Sequence, residues 1–353
     1  MKKTVLLFAG LMAAGFIARA QDEESPLLIS GSVDAYYKYD LSDYRAENGT
    51  SNIQTAFANE QNSISLGMVD LALSKQAGKA SFVGEVSFGP RGQGQSLVNA
   101  AGEYGDESAN SFHIQNLYVS YAFTEQFSMT AGFMGTFIGY EVISPKGNFN
   151  YSTSRLFSYG PFQNAGIKAN YAFSEKVGLM VGLFNDWNLY QDFNGVSDFG
   201  AQLSVAPLEG WNAYINFITG SPSGTEIDLT TAYQVTNALK IGLNAADFSA
   251  PDDAGGFQGG ALYAQYGLSE VFALGARGEI FQFKDTADPD NPGMQIEGNR
   301  YFSFTLSGNV KAGPLTLIPE VRFDSSSADE FMDSDMNFTG QASQFVLAAV
   351  YAF

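Results

Sequence analysis

The sequence predicts an all-β chain, a transmembrane antiparallel β-barrel of 16 strands, with 14 and 18 as the neighbouring counts. Three observations predict it. Segments long enough to cross a bilayer alternate apolar and polar residues, short turns alternate with long polar loops, and the composition is rich in aromatics but poor in charge. The 353 residues include 30 Phe, 18 Tyr and 38 Gly but only 11 Pro, and 16% are charged. A surface made this way suits lipid better than water.

The N-terminus comes first. Lys2 and Lys3 precede an apolar run from Val5 to Ala18, closed by Ala18-Arg19-Ala20 and the polar Gln21-Asp22-Glu23-Glu24. A basic start, a short apolar stretch and a small-x-small site read as a signal peptide over 1–20, cut after Ala20. The apolar run is too short to span a bilayer as a helix. Residues 21–27 form a short N-terminal segment on the periplasmic side, and 28–353 form the barrel. Cleavage removes Lys2, Lys3 and Arg19 and moves the formal charge from −19 to −22, so phosphates are repelled and nucleic acid is excluded as a partner. Cysteine is absent, which excludes disulfides, thiolate catalysis and cysteine metal sites.

The body repeats one unit: alternating strand, tight polar turn, alternating strand. Leu117–Phe123 turns at Thr124-Glu125-Gln126 into Phe127–Phe133, Ile167–Phe173 turns at Ser174-Glu175-Lys176 into Val177–Val181, and Tyr263–Leu268 turns at Ser269-Glu270 into Val271–Gly275. Weaker copies turn near 75–78, 207–210, 236–237 and 312–314. Seven short turns alternate with eight longer, mostly acidic loops at 41–60, 90–110, 141–160, 188–195, 219–224, 250–256, 285–298 and 325–340. The strands between them run 28–40, 61–74, 79–89, 111–123, 126–140, 162–173, 176–187, 196–206, 211–218, 225–235, 238–249, 257–267, 270–284, 299–311, 315–324 and 341–353. An even count returns both termini to the short-turn side, as in barrels with periplasmic turns and extracellular loops.

A period of two fixes the faces. Phe345, Leu347, Ala349, Tyr351 and Phe353 oppose Gln344, Val346, Ala348 and Val350, while Leu315, Leu317, Val321 and Phe323 oppose Thr316, Ile318, Glu320 and Arg322. Open edges in hydrocarbon leave backbone groups unpaired, so the strands must close into a ring. Tyr and Phe gather at strand ends, where rings with one wet and one dry end belong. Glycines such as Gly132, Gly166, Gly182 and Gly275 relieve crowding in a curved wall. A soluble sandwich or jelly roll shares the alternation but lacks the turn asymmetry and the aromatic ends.

Charges at inward phase then line the lumen: Glu85, Lys168, Arg277, Glu279, Glu320 and Arg322. An Arg or Lys facing lipid at midplane costs about 2–4 kcal/mol, which forces Lys168, Arg277 and Arg322 inward. Opposed charges across a water path set up a transverse field. Alternatively, Arg277 with Glu279 and Glu320 with Arg322 are i,i+2 partners that brace the wall. Asp70 lies where the phase shifts across 64–73, the sign of a bulge. His113 is the lone histidine and no serine context suggests a triad. With no zinc cluster and no phosphate loop, the chain is read as no enzyme, without cofactor or metal. Asp252, Asp253, Asp285, Asp288, Asp290, Asp329, Glu330, Asp333 and Asp335 form acidic loops without calcium-loop spacing.

The ending Val346–Phe353 resembles the C-terminal signature of outer-membrane barrels, which implies that Tyr351 and Phe353 are read by the barrel-assembly machinery. The block Gly132–Glu141, Asn148–Ser152, Leu156–Phe162 and Asn164–Tyr171 resembles the OmpL-like β-barrel porin family of Bacteroidetes-type bacteria. That likeness covers nearly the whole mature chain. It implies an outer-membrane porin, set in outer-membrane lipid, through which small hydrophilic solutes diffuse passively; it names no solute. By resemblance to general diffusion porins, loop 141–160 is the constriction element, carrying Glu141, Lys146 and Arg155, with Arg155 facing the permeation path. The same resemblance suggests a homotrimer, for which no interface is legible. A solute-specific channel for sugars, peptides or anions, and a non-conducting structural or adhesive barrel, remain the alternatives.

Overall fold

The computed structural model describes residues 25–91, 98–99, 112–287 and 294–353. The signal peptide over 1–20, residues 21–24, Asp288 and Asp290 lie outside the described residues. Sixteen strands close into one ring: β1 (Leu28–Asp40), β2 (Ile64–Ala77), β3 (Ala80–Phe88), β4 (Phe112–Ala122), β5 (Phe127–Gly135), β6 (Gln163–Ser174), β7 (Val177–Phe184), β8 (Asp198–Val205), β9 (Trp211–Gly220), β10 (Gly224–Gln234), β11 (Leu239–Ser249), β12 (Gly256–Gly267), β13 (Phe272–Phe283), β14 (Arg300–Ala312), β15 (Leu315–Ser326) and β16 (Gln341–Ala352). Each pairs antiparallel with its neighbour in sequence. β16 returns to β1, Ser32 opposite Ala352 through Asp40 opposite Gln344, so the barrel has no open edge in the membrane.

The two faces separate as the alternation requires. Val33, Leu117, Ile167, Leu262, Phe302 and Leu347 are exposed on the outer wall, whereas Asp34, Thr130, Asn216, Arg277 and Glu320 are buried within. In β2 the phase does shift. Val69 stands opposite Val33, but Leu66 stands opposite Ala35, so a bulge lies between them. Ile64, Leu66 and Val69 are all exposed on the lipid face, and the bulge delivers Asp70, fully buried, to the lumen.

One strand ends earlier than the alternation suggests. β5 stops at Gly135, not at 140: after a last rung from Thr136 N to Phe162 O the chain turns into the barrel. Phe137, Ile138 and Tyr140 are apolar because they meet the inside of the wall. Three buried clusters fill that side of the lumen: Ile53, Leu156, Phe257, Phe281, Tyr301 and Phe331; then Tyr36, Tyr151, Ile318 and Val346; then Phe57, Phe157 and Phe162. The hydrophobic core of this barrel is therefore internal, between one arc of wall and two inserted loops, 41–63 and 136–162.

Candidate functional site

Loop 136–162 is the longest described excursion into the lumen, and its route can be followed by what it touches. Phe137 lies 5.7 Å from the Phe184 ring on β7. Gly139 N donates to Asp228 Oδ1 on β10 at 3.2 Å. Tyr140 stacks on Tyr263 at 4.3 Å, over Gly242, where a Cβ would come within 2.3 Å of its hydroxyl oxygen. Phe149 covers Gly275, where a Cβ would stand 2.2 Å from the ring. Those two glycines make room for loop rings, a more specific role than easing curvature. On the far side Lys146 Nζ reaches Asp70 Oδ2 at 2.7 Å.

The segment 151–156 is clamped through its main chain. Glu320 accepts from Tyr151 N at 2.8 Å and Ser152 N at 3.0 Å. Glu279 accepts from Arg155 N at 3.0 Å and Leu156 N at 2.9 Å, the free amides that open the short helix α1 (Arg155–Tyr159). Arg277 donates to Ser152 O at 2.7 Å, and Arg322 donates to Thr153 O at 2.7 Å. Within the loop, Glu141 takes Ser154 N at 2.6 Å and pairs with Arg277 at 2.6 Å. Charge-assisted bonds to backbone are the stronger class, and they are shielded from water.

This changes the reading of the wall charges. The wall pairs differ from the two expected: Arg277 pairs across to Glu141 and not to Glu279, and the i,i+2 brace at Arg322 runs to Asp324, at 2.7 Å, and not to Glu320. Glu279 and Glu320 are occupied by loop amides instead. Arg155 also turns to the wall. It is 6% exposed, its guanidinium sits 3.0 Å from Asp324 Oδ2 and 3.7 Å above the Tyr301 ring, so it tethers the loop rather than facing open water. Glu85, buried on β3, accepts from Asn116 Nδ2. Lys168 points inward from β6, between Thr130 and Gly182, and has no hydrogen-bond or ion-pair partner among the described residues. Tyr351 and Phe353 are exposed at the foot of the wall, ring centroids 6.4 Å apart, and Phe353 bonds Gly31 across the closing seam.

Sequence reasoning passed over several participants. Lys38 Nζ donates to Ile53 O and Ala58 O, both at 2.9 Å, and so draws loop 41–63 inside. Arg91 lies between Asp34, at 3.7 Å, and the rings of Phe57 and Tyr151. Tyr151 donates to Asp34 Oδ2 at 2.6 Å; burial, with that carboxylate beside it, pushes the phenol well above its usual range and keeps it a donor. Asp34 and Lys38 were findable, since they share inward phase with Tyr36.

The loops leave the lumen lopsided. Beneath them the inward residues of β13–β16 and β1 are sealed, among them Ser303, Thr305, Ser307, Ile318, Gln344 and Ser32. From β4 round to β9 the inward residues Ser120, Lys168, Asn170, Gln202, Asn212 and Tyr214 are only partly buried, although Thr130, Met180 and Asn216 on the same arc are sealed.

A closed sixteen-strand ring, apolar outside and polar inside, with a loop tied into its lumen, defines the porin class of outer-membrane barrel. The family described as "Putative beta-barrel porin-2, OmpL-like" matches residues 26–353, and the chain belongs to that family: it is a porin of the outer membrane. Among solved structures it is similar to OmpT of Vibrio cholerae in a trimer form, with a TM-score of 0.59, 10% identity, and coverage of 93% of this chain and 99% of that one. It is also similar to an anion-selective porin from Comamonas acidovorans, at 0.57 and 12% identity over 94% and 100% of the two chains. Salmonella typhi OmpF, in a complex with daunomycin, gives 0.57 and 11% identity over 94% and 100%. At such identities the likeness is one of fold. No curated protein matches the sequence.

Proposed function

We propose that small hydrophilic solutes cross this barrel down their gradients on the β4–β9 side of the lumen, and that loop 136–162 is the constriction they pass. The observation that carries this reading is the lopsided burial: Ser120, Lys168, Asn170, Gln202 and Asn212 on that arc keep water contact, whereas the polar inward residues under the loop lose it. Lys168, on the wetter arc and without an ion-pair partner among the described residues, is the wall charge that faces the path, while Arg155, Arg277, Glu279, Glu320 and Arg322 fix the loop. Glu141 belongs to that lock, and Lys146 with Glu85 borders the path where the loop meets β2 and β3.

Folded protein in planar bilayers is expected to open in ohmic steps. Lys168→Glu should move the reversal potential in a salt gradient toward cation preference; an unmoved potential removes Lys168 from the path. Silence from folded protein would favour the structural or adhesive barrel. A conductance that falls on adding one solute class, a sugar, a peptide or an anion, would favour a specific channel. No catalytic step enters this reading.

Export by the 1–20 signal, capture of Tyr351 and Phe353 by the assembly machinery, and a homotrimeric state complete the proposal. Removing Phe353 should lower the amount of heat-resistant barrel in outer membranes, and cross-linking of intact membranes should give a three-chain product. Unchanged barrel levels and single-chain products would reject these two points.

A further inference from the structure

One buried acidic side chain in the lumen is unpaired among the described residues. Glu226, third residue of β10 near the loop-side rim, is 2% exposed and makes no hydrogen bond or ion pair among the described residues; its Oε2 is sealed and unpartnered. Two other buried acids nearby are filled. Asp228, two residues on, takes Asn216, Asn244 and Gly139 N, and Glu279 takes two loop amides. A buried carboxylate without a partner is costly; a proton removes that cost, and so does a bound cation, which brings the charge back.

The surroundings say which kind of cation. Phe248 is the cross-strand neighbour of Glu226 on the same inward face. Trp187 lies 5.0 Å from the Phe248 ring and Phe257 lies 5.3 Å from it. Tyr159, 45% exposed, stands 6.4 Å from Phe257 and forms the open edge of the group. Gly160 follows it, and the Glu226 oxygens come within 3.8 and 4.0 Å of the place its Cβ would take. Calcium or magnesium would need six or more oxygens, and no group of three or more acidic or histidine side chains that could hold a metal ion is found among the described residues. Ring faces and one carboxylate are what an ammonium group on an apolar body requires. Asp198 on β8, fully buried with Oδ2 unpartnered, adds negative potential to the same rim.

We propose that Glu226, with Trp187, Phe248 and Tyr159, forms a subsite for organic ammonium ions near the loop-side rim of the lumen. The Glu226 carboxylate pairs with the ammonium group, and the rings hold its hydrocarbon. The proposal rests on the diffusion reading for one point only, that the bound ion is a travelling solute.

Cyclohexylammonium and its neutral counterpart cyclohexanol are the probes. The chain has two tryptophans, Trp187 and Trp211, so Trp211→Phe leaves Trp187 as sole reporter in the folded, detergent-held barrel. Cyclohexylammonium is expected to shift Trp187 emission saturably and to reduce single-channel current, while cyclohexanol does neither. Glu226→Gln, checked for folding by its heat-resistant migration in SDS, should raise the half-saturating concentration about tenfold or more, the scale of one lost charge contact. Equal responses to the amine and the alcohol, an unchanged half-saturation in Glu226→Gln, or a shift given by calcium chloride but not by the amine, would each overturn the subsite. An emission shift in a barrel that never conducts keeps the subsite and rejects the diffusion reading; steady conduction without a shift does the reverse.

Discussion

Arg277→Met is expected to destabilise the docked loop by about 3–5 kcal/mol and to turn a steady channel into a flickering one. The guanidinium is fully buried and holds the Glu141 carboxylate and the Ser152 carbonyl of the loop, besides Thr305 on the neighbouring strand. Methionine fills much of its volume but leaves Glu141 charged, buried and short of its partner. Ser154, held by Glu141, then loses its fixed point, and with it the start of α1. The ring itself is hydrogen-bonded independently of the loop, so the barrel should still migrate as a folded band in SDS. Open-channel current noise at fixed voltage, and protease cleavage within 141–160, are the readouts. A variant as quiet and as resistant as the parent would mean that the clamp does not set the loop's position.

The second large effect separates two adjacent residues. Ile167 is exposed on the lipid face of β6, and Lys168 beside it points inward. Ile167→Arg should cost about 2–4 kcal/mol near midplane, while Lys168→Arg, which keeps a charge where one already stands, should cost little. Urea unfolding of the barrel in lipid vesicles measures both. Equal losses would mean that the two faces of β6 do not meet lipid and water as assigned.

The ring was legible because its signal is local. A period of two, read over ten residues, needs no knowledge of what lies across the lumen, and each strand and short turn follows from it. The bulge in β2 showed itself as a phase error around Asp70. The same rule misread 136–140, since Phe137 and Tyr140 look alike whether they meet lipid or the inside of the wall. Loop 41–63 was opaque for the opposite reason: Ile53 and Phe57 are isolated apolar residues in a polar stretch, and only the fold brings them to Phe281 and Phe157. The inward charges were readable by parity, but their partners were not. Whether Glu279 meets Arg277 or a loop amide depends on where residues 151–156 come to rest. That Glu226 stands unpaired among the described residues was invisible for that reason too.

The wall grips residues 151–156 by peptide groups, and this has a consequence for how such a channel can change. Glu320, Arg277 and Arg322 hold Ser152 and Thr153 through their amides and carbonyls, which every non-proline amino acid supplies. The side chains at 152 and 153 are themselves buried, and Ser152 Oγ accepts from Arg277 at 3.5 Å, so only exchanges between small residues leave this stretch where it is. A scaffold gripped in this way holds its course through such exchanges, because the grip does not depend on which small side chain is present.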